Sequence, residues 1–196
     1  MLERAWSQLY SVEKRMLDIT VAGVATIATA PIVGCLAYMK YKEDKQNPFF
    51  IQERVGKEGK TIKIVKIRSM RGGTEPDEER VTELGRWIRK THLDELPQFW
   101  LVLKGDMTLV GPRPITPKAM QNAKESCLSE ARSCDIESDY IKLRGGITGV
   151  WQLNGTGYEN DHKMYHPNKL YLKNKSILLD IVVIYRTAQM VFKSLK

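Results

Sequence analysis

Two adjacent carboxylates, Asp94 and Glu95, stand in the segment Leu93-Asp94-Glu95-Leu96-Pro97-Gln98. Arg86, Arg89 and Lys90 lie just upstream, and a Gly111-Pro112-Arg113-Pro114 turn follows. A carboxylate can serve as a nucleophile or hold magnesium. A guanidinium can grip a phosphate through two parallel hydrogen bonds. Either group alone is ordinary on a solvated helix. Together, beside an apolar N-terminal segment that can reach lipid, they point to phosphate chemistry on a membrane-borne substrate.

Pro97 is tolerated only in the first turn of a helix. A helix is therefore expected from near Asp94 to about Leu103, with the acidic pair at its N-terminus, where the dipole and free N–H groups favour anions. Phe49–Val55 and the alternating Thr61–Ile67 read as strands of a hairpin around the Gly56–Lys60 turn, ending in Lys66-Ile67-Arg68-Ser69-Met70. Arg80–Lys90 reads as one short helix and residues 115–135 as a polar helix. Gly145–Gly149 reads as a loop leading into a short strand, Val150–Leu153. Ser176–Leu195 is a helix with an apolar body and a basic end, suited to a membrane surface or to a core. The expected fold is α+β: a mostly helical, compact cytoplasmic domain over residues 43–196 with a small hairpin, anchored by a membrane-associated segment over residues 1–42 and by interfacial amphipathic helices.

Ile19–Met39 carries no charged side chain. As one helix it would be about 31 Å long, just enough to cross a bilayer core. Two features oppose a simple crossing. Ala30-Pro31 lies near its middle, where proline removes a backbone hydrogen bond. Basic residues flank both ends, Arg4, Lys14 and Arg15 before and Lys40, Lys42 and Lys45 after, so charge gives no direction of crossing. A helix broken at Ala30-Pro31 that returns to the cytoplasmic side satisfies both. Asp18 at the apolar boundary needs a partner, and Lys14 and Arg15 are the nearest candidates.

The 196 residues allow one domain with a core. The 31 basic against 23 acidic residues give a net charge of +8, which suits anionic lipid, phosphorylated substrates or nucleic acid. Few aromatic residues lie near the basic clusters, so a base-stacking platform is not evident and no nucleic acid is expected. Cys35, Cys127 and Cys134 form no CxxC pair, which favours a reducing compartment over disulfides or zinc. His92, His162 and His166 lack metal-ligand spacing.

Several segments together resemble the bacterial sugar transferases, the small monotopic polyprenyl-phosphate phosphoglycosyl transferases. They are Leu84 through Gln98, Leu103 through Pro114, Lys14-Arg15 with Asp18, Phe50-x-Gln52-x-Arg54-Val55-Gly56, Lys66-x-Arg68-Ser69-Met70 and Gly146-Ile147-Thr148-Gly149 with Gln152, Asn154 and Gly155. Tyr171, Ser176, Asp180 and Thr187 agree near the end, and the likeness covers about residues 12 to 192. It implies an enzyme that moves a sugar-1-phosphate from a UDP-sugar to undecaprenyl phosphate and releases UMP. It implies Asp94 as nucleophile, forming a covalent phospho-sugar intermediate, and Glu95 as a Mg2+ ligand. Arg113, Lys66, Arg68 and Arg89 would hold phosphate, with Thr148 and Gln152 as further substrate contacts. The helix broken at Ala30-Pro31 would be re-entrant, on the cytoplasmic face of the bacterial inner membrane. A homodimer remains open, as does the sugar. Gly145, Ile67, His92 and Asn168 depart from the usual pattern, which bears on the shape of the sugar pocket. Two other classes share these features: a metal-dependent hydrolase of lipid-linked phosphates, and a basic membrane-tethered binding protein.

Overall fold

In the computed structural model, which describes residues 2–75, 77–129, 142–153, 168 and 170–194, the alternating segments close as an antiparallel hairpin. Strand β1 (Phe49–Val55) pairs with β2 (Thr61–Ile67), from Phe49↔Ile67 to Val55↔Thr61. Side chains two apart on a strand share a face. Ile64 enters the core, so Lys66 leaves the strand on that same side. Ile67 turns the other way, into a smaller cluster with Leu36 and Ile88.

The expected Arg80–Lys90 helix is two helices, α2 (Asp77–Arg80) and α3 (Glu83–Lys90). Val81 instead bridges to Met70. Thr82 then accepts the Gly85 N–H at 2.9 Å, capping α3. Gly85 is required there: a Cβ would lie 1.8 Å from the Ser69 carbonyl oxygen.

Asp94 and Glu95 lie in a single 3-10 turn, Leu93–Glu95, ahead of α4 (Gln98–Lys104), not in the first turn of an α-helix. Pro97 has no N–H to give to the Leu93 carbonyl. Leu96 supplies the bond instead at 3.4 Å, and Glu95 bonds to His92 at 3.2 Å, so the chain winds tightly through the acidic pair.

A second small sheet was not foreseen. β3 (Thr108–Val110) pairs in parallel with β4 (Gly146–Thr148), and Val150–Leu153, expected as a strand, is a short helix, α6. The pairing depends on glycine, because a Cβ on Gly146 would lie 2.2 Å from the Gly111 nitrogen. The polar helix α5 spans Pro117–Ser129, starting two residues later than expected, and its expected length beyond Ser129 lies outside the described residues. The last helix, α7, spans Ile177–Ser194.

The core gathers Ile64 of β2, Leu101 and Val102 of α4, Leu109 and Val110 of β3, Tyr171, and Val183 of α7. Helix α7 has a buried side and an exposed apolar side. Asp180 and Val183 are buried, while Leu178, Ile181, Val182 and Tyr185 are exposed.

The long N-terminal helix α1 (Leu2–Asp44) stays helical through Ala30 and Pro31. It is long and apolar enough to cross a membrane. One face is part of the domain: Asp18, Ala22, Leu36 and Lys40 are all buried. The other exposes Leu9, Val12, Met16, Ile19, Val24 and Ile27.

The ionic partners of α1 differ from the expected ones. Asp18 takes neither Lys14 nor Arg15. It accepts from the Thr108 hydroxyl at 2.6 Å and the Leu109 N–H at 3.0 Å, which fixes α1 to β3. Lys14 pairs with buried Asp180 at 2.8 Å. Arg15 donates to the carbonyls of Val102 and Leu103 at 2.6 and 2.8 Å at the C-terminal end of α4, where the Val102 carbonyl also accepts the Gly105 N–H at 3.1 Å. These bonds reach partners that local sequence proximity does not reveal.

Asp18→Ala leaves the Leu109 N–H and the Thr108 hydroxyl without their acceptor in a buried site. Losing such bonds costs about 3 kcal/mol. Thermal unfolding in detergent should show a clear loss of stability for Asp18→Ala and a smaller one for Asp18→Asn, which keeps one acceptor oxygen. Equal melting of Asp18→Ala and wild type would show that the bonds do not hold α1.

Candidate active site

Helix α3 ends at Thr91, whose hydroxyl back-bonds to Trp87 at 2.8 Å. His92 follows in the left-handed conformation at φ 58°. The reversal turns the acidic pair toward β2, where Lys66 leaves the strand on the core side. Lys66 Nζ lies 2.5 Å from Glu95 Oε1 and 3.8 Å from Asp94 Oδ2. All three side chains are mostly buried, with 13% exposure at Asp94, 19% at Glu95 and 22% at Lys66. That residual exposure leaves both carboxylates accessible to a ligand.

Burial pushes the Asp94 carboxyl up to about 6. The Lys66 ammonium opposes this shift, the neighbouring Glu95 charge adds to it, and His92 pulls it down. Asp94 is thus ionised at neutral pH, yet more basic than a solvated carboxylate.

Two cavities meet at Lys66. The larger, about 680 Å³, is lined by Asp94 and His92, by Arg68, Arg71, Arg80 and Arg89, and by Phe50, Gln52 and Ser69. Its volume is that of a site for a ligand of drug or nucleotide size. Cations outnumber the single carboxylate, so it favours an anion. The smaller, about 30 Å³, lies on the Glu95 side and is lined by Arg54, Lys66, Gln98, Arg113 and Trp151.

Arg113 is placed by its Pro-Arg-Pro frame. Its guanidinium stacks over the Trp151 ring at 4.6 Å. The Pro114 carbonyl accepts from Arg54 at 3.1 Å, and the Pro112 carbonyl from Gly146 N–H at 2.9 Å. Arg89 donates to the Ser69 hydroxyl at 2.6 Å at the wall of the large cavity.

The structure therefore brings together Asp94, Glu95, Lys66, Arg113 and Arg89. Arg68 also lines the large cavity, but its guanidinium is engaged by Asp44 and Gln46, each at 2.5 Å. Thr148 and Gln152 line neither cavity. The Thr148 hydroxyl bonds Thr187 at 2.6 Å, joining β4 to α7. The Gln152 Oε1 is buried without a partner among the described residues. Ala30 and Pro31 lie on α1, outside both cavities.

Arg54, Gln98 and Trp151 are additional wall residues. Gln98 had a legible signal. It follows Glu95 by three positions and Asp94 by four, which on a helical path places all three on one side.

Among the described residues no three metal-ligating side chains cluster. The two adjacent carboxylates fit magnesium, which takes one or two carboxylates and completes its shell with water and substrate phosphate.

Residues 9–194 match the model of the family described as bacterial sugar transferase. The chain is 34% identical over 92% of its length to an undecaprenyl-phosphate galactose phosphotransferase of Salmonella typhimurium, of which it covers 40%. It is 36% identical over 89% of its length to a UDP-glucose:undecaprenyl-phosphate glucose-1-phosphate transferase of Klebsiella pneumoniae, covering 39% of that protein. An exopolysaccharide production protein of Sinorhizobium fredii is 28% identical over 90% of this chain and 84% of its own length. The chain spans about two fifths of the length of several curated relatives it matches. The matched region takes in the acidic turn, both cavities and α1 from Leu9 onward, and the chain belongs to the bacterial sugar transferase family.

Proposed function

We propose that this protein transfers a sugar-1-phosphate from a UDP-sugar to undecaprenyl phosphate, as the first membrane step in assembling a glycan. The observation that carries the reading is Asp94: an ionised, partly desolvated carboxylate beside Lys66 at the wall of a cation-rich cavity. The family, and relatives whose names give this reaction, support it. Those names give both galactose and glucose, so the sugar is left open.

In the first step an Asp94 oxygen attacks the phosphorus that bears the sugar. The bond from that phosphorus to the bridging oxygen of UMP breaks, and UMP leaves with the electron pair. In the second step a phosphate oxygen of the lipid attacks the same phosphorus, and the Asp94 carboxylate is regenerated. A carboxylate is a weak nucleophile, so most of the rate must come from position and from neutralised charge. Lys66 and Arg113 supply fixed positive charge on the Glu95 side, and Arg89 supplies it in the large cavity. Glu95, with Asp94 adjacent, would hold Mg2+, which offsets the charge of the diphosphate when bound.

UMP release from a panel of UDP-sugars, with and without polyprenyl phosphate, tests this reading. Asp94→Asn should lose about a thousandfold or more, and chelator should stop the wild type until magnesium is restored. Release to water alone would identify a hydrolase instead, and near-normal turnover by Asp94→Asn would remove the nucleophile.

The Asp94 shift fixes a pH dependence. The nucleophile must be ionised, so kcat/KM should fall about tenfold per unit as pH drops below about 6 and level off above it. For stability the sign is opposite. A carboxyl raised from 3.8 to about 6 in the fold costs stability once ionised, and the cost fades as pH falls through that interval. Asp94→Asn should therefore melt no lower than wild type at pH 7, while inactive. A lower melting point would mean the carboxylate serves structure.

Helix α1 enters and leaves on the cytoplasmic side in this reading, at the inner membrane. The support is geometric. Asp18 at one end of the apolar run bonds to Thr108, and Lys40 at the other bonds to Thr82 at 3.2 Å and pairs with Glu43. A crossing helix would carry those ends to opposite faces of the bilayer. Single cysteine reporters at Ser7 and Ser194, in a chain lacking Cys35, Cys127 and Cys134, should both be protected from an impermeant reagent in intact cells. Labelling at Ser7 alone would establish a spanning helix.

A further inference from the structure

A third cavity, about 230 Å³, lies apart from the two at Lys66 and shares no lining residue with either. Six cationic side chains from four parts of the chain line it: Lys14 and Arg15 of α1, Lys57 of the hairpin turn, Lys142 and Arg144 ahead of β4, and Lys175 ahead of α7. Asp18 is the one carboxylate in its wall among the described residues, and both its oxygens are taken by Thr108 and Leu109. Among the described residues, Asp180 holds Lys14 at 2.8 Å and exposed Glu58 lies 3.5 Å from Lys57. The excess of positive charge is large and comes from separate segments, so the fold concentrates it there. The volume is below the range of cavities that take a drug-sized ligand, and suits a phosphate headgroup better than a whole nucleotide sugar.

The cavity also has a defined relation to the apolar surface. On α1, Tyr10, Lys14 and Asp18 follow at intervals of four and line it. Leu9, Val12, Met16 and Ile19 are exposed on the same turns of the helix. Lys175 lies over the Tyr10 ring at 5.8 Å, and exposed Leu178, Ile181 and Val182 follow it on α7. Charge and apolar surface thus adjoin on both helices, as phosphate and acyl chains adjoin in a phospholipid.

We propose that this cavity binds the phosphate headgroup of an anionic phospholipid, whose acyl chains lie along the exposed residues of α1 and α7. The proposal rests on the membrane placement of α1, and is separate from the transfer chemistry at Asp94. A bound headgroup at Lys14 and Arg15 would adjoin the side chains that fix α1 to Asp180 and to α4, and so would anchor the helix at a set depth.

The test uses the full chain in neutral detergent, titrated with phosphatidylglycerol or phosphatidylcholine, with retained lipid counted by native mass spectrometry. Wild type should retain phosphatidylglycerol and not phosphatidylcholine. Changing Lys57, Lys142 and Lys175 together to Gln should weaken retention about tenfold or more, since each cation near a lipid surface adds to the attraction. A control with Lys63, Lys90 and Lys118 changed to Gln removes the same charge outside the cavity and should retain lipid as wild type does. Equal loss in both variants would reduce the effect to net charge and overturn the site. Equal retention by wild type and the cavity variant would overturn it too. Displacement of the lipid by millimolar inorganic phosphate would reassign the cavity to soluble phosphate. UMP release by the cavity variant, in the same detergent with a short-chain polyprenyl phosphate, should stay within about twofold of wild type. Lost release with intact lipid retention would place these lysines in transfer instead. Absent UMP release by wild type would count against the transferase reading alone and leave the lipid result readable.

Discussion

The site depends on one ammonium placed between two carboxylates. Asp94 and Glu95 are adjacent in a tight turn and mostly buried, and two such charges cannot both ionise there without compensation. Lys66 supplies it from the neighbouring strand. It is closer to Glu95 than to Asp94, so the two acids are not equivalent. Glu95 is held in a short charge-assisted contact. Asp94 receives less of the cation's field and carries the raised pKa. The asymmetry separates a carboxylate suited to hold a cation from one suited to attack.

The same geometry explains why the hairpin matters to a mostly helical protein. Lys66 needs a rigid support whose side-chain direction is fixed. Ile64, two residues earlier on the same face, is locked into the core beside Leu101 and Val102 of α4. The acidic turn leads directly into α4. Strand and turn are therefore anchored on one set of packed side chains, and a shift in either would disturb the other. Arg15 of α1 closes the far end of α4 through its last carbonyls. Helix α1 is thus packed into the same body as α4 and the acidic turn that leads into it.

The hairpin was legible because alternation and turn residues are local signals, whereas the tight turn at Asp94 and Glu95 was read as the start of a helix. Asp94, Glu95, Lys66, Arg89 and Arg113, singled out by residue type together with family resemblance, lie at the walls of the two cavities. What escaped was non-local. The parallel pairing of β3 with β4 joins residues about forty apart, and it shows in sequence only as glycines whose reason is steric. Asp18 reaches Thr108 and Lys14 reaches Asp180, where proximity in sequence favoured pairing them with each other. Thr148 and Arg68 have residue types suited to a ligand, but Thr148 joins β4 to α7 and Arg68 is held by Asp44. Composition cannot tell a hydroxyl or guanidinium that joins two elements from one placed at the wall of a site.

The arrangement of cavities bears on how one site could serve two substrates. In the proposed reaction the donor and the lipid phosphate each approach the same phosphorus in turn, so both must reach Asp94. The large cavity opens to Asp94 and gathers cations from β2, α3 and the segments between them. The small one reaches Glu95 and is bounded by Arg113 against Trp151. Lys66 forms part of both walls. A phosphate bound on either side would meet the same ammonium, and would draw it partly from Glu95. In the proposed reaction Glu95 would then be able to hold Mg2+. The Lys66–Glu95 contact satisfies a mostly buried acid, and in the proposed reaction bound phosphate and Mg2+ would share that charge with Lys66.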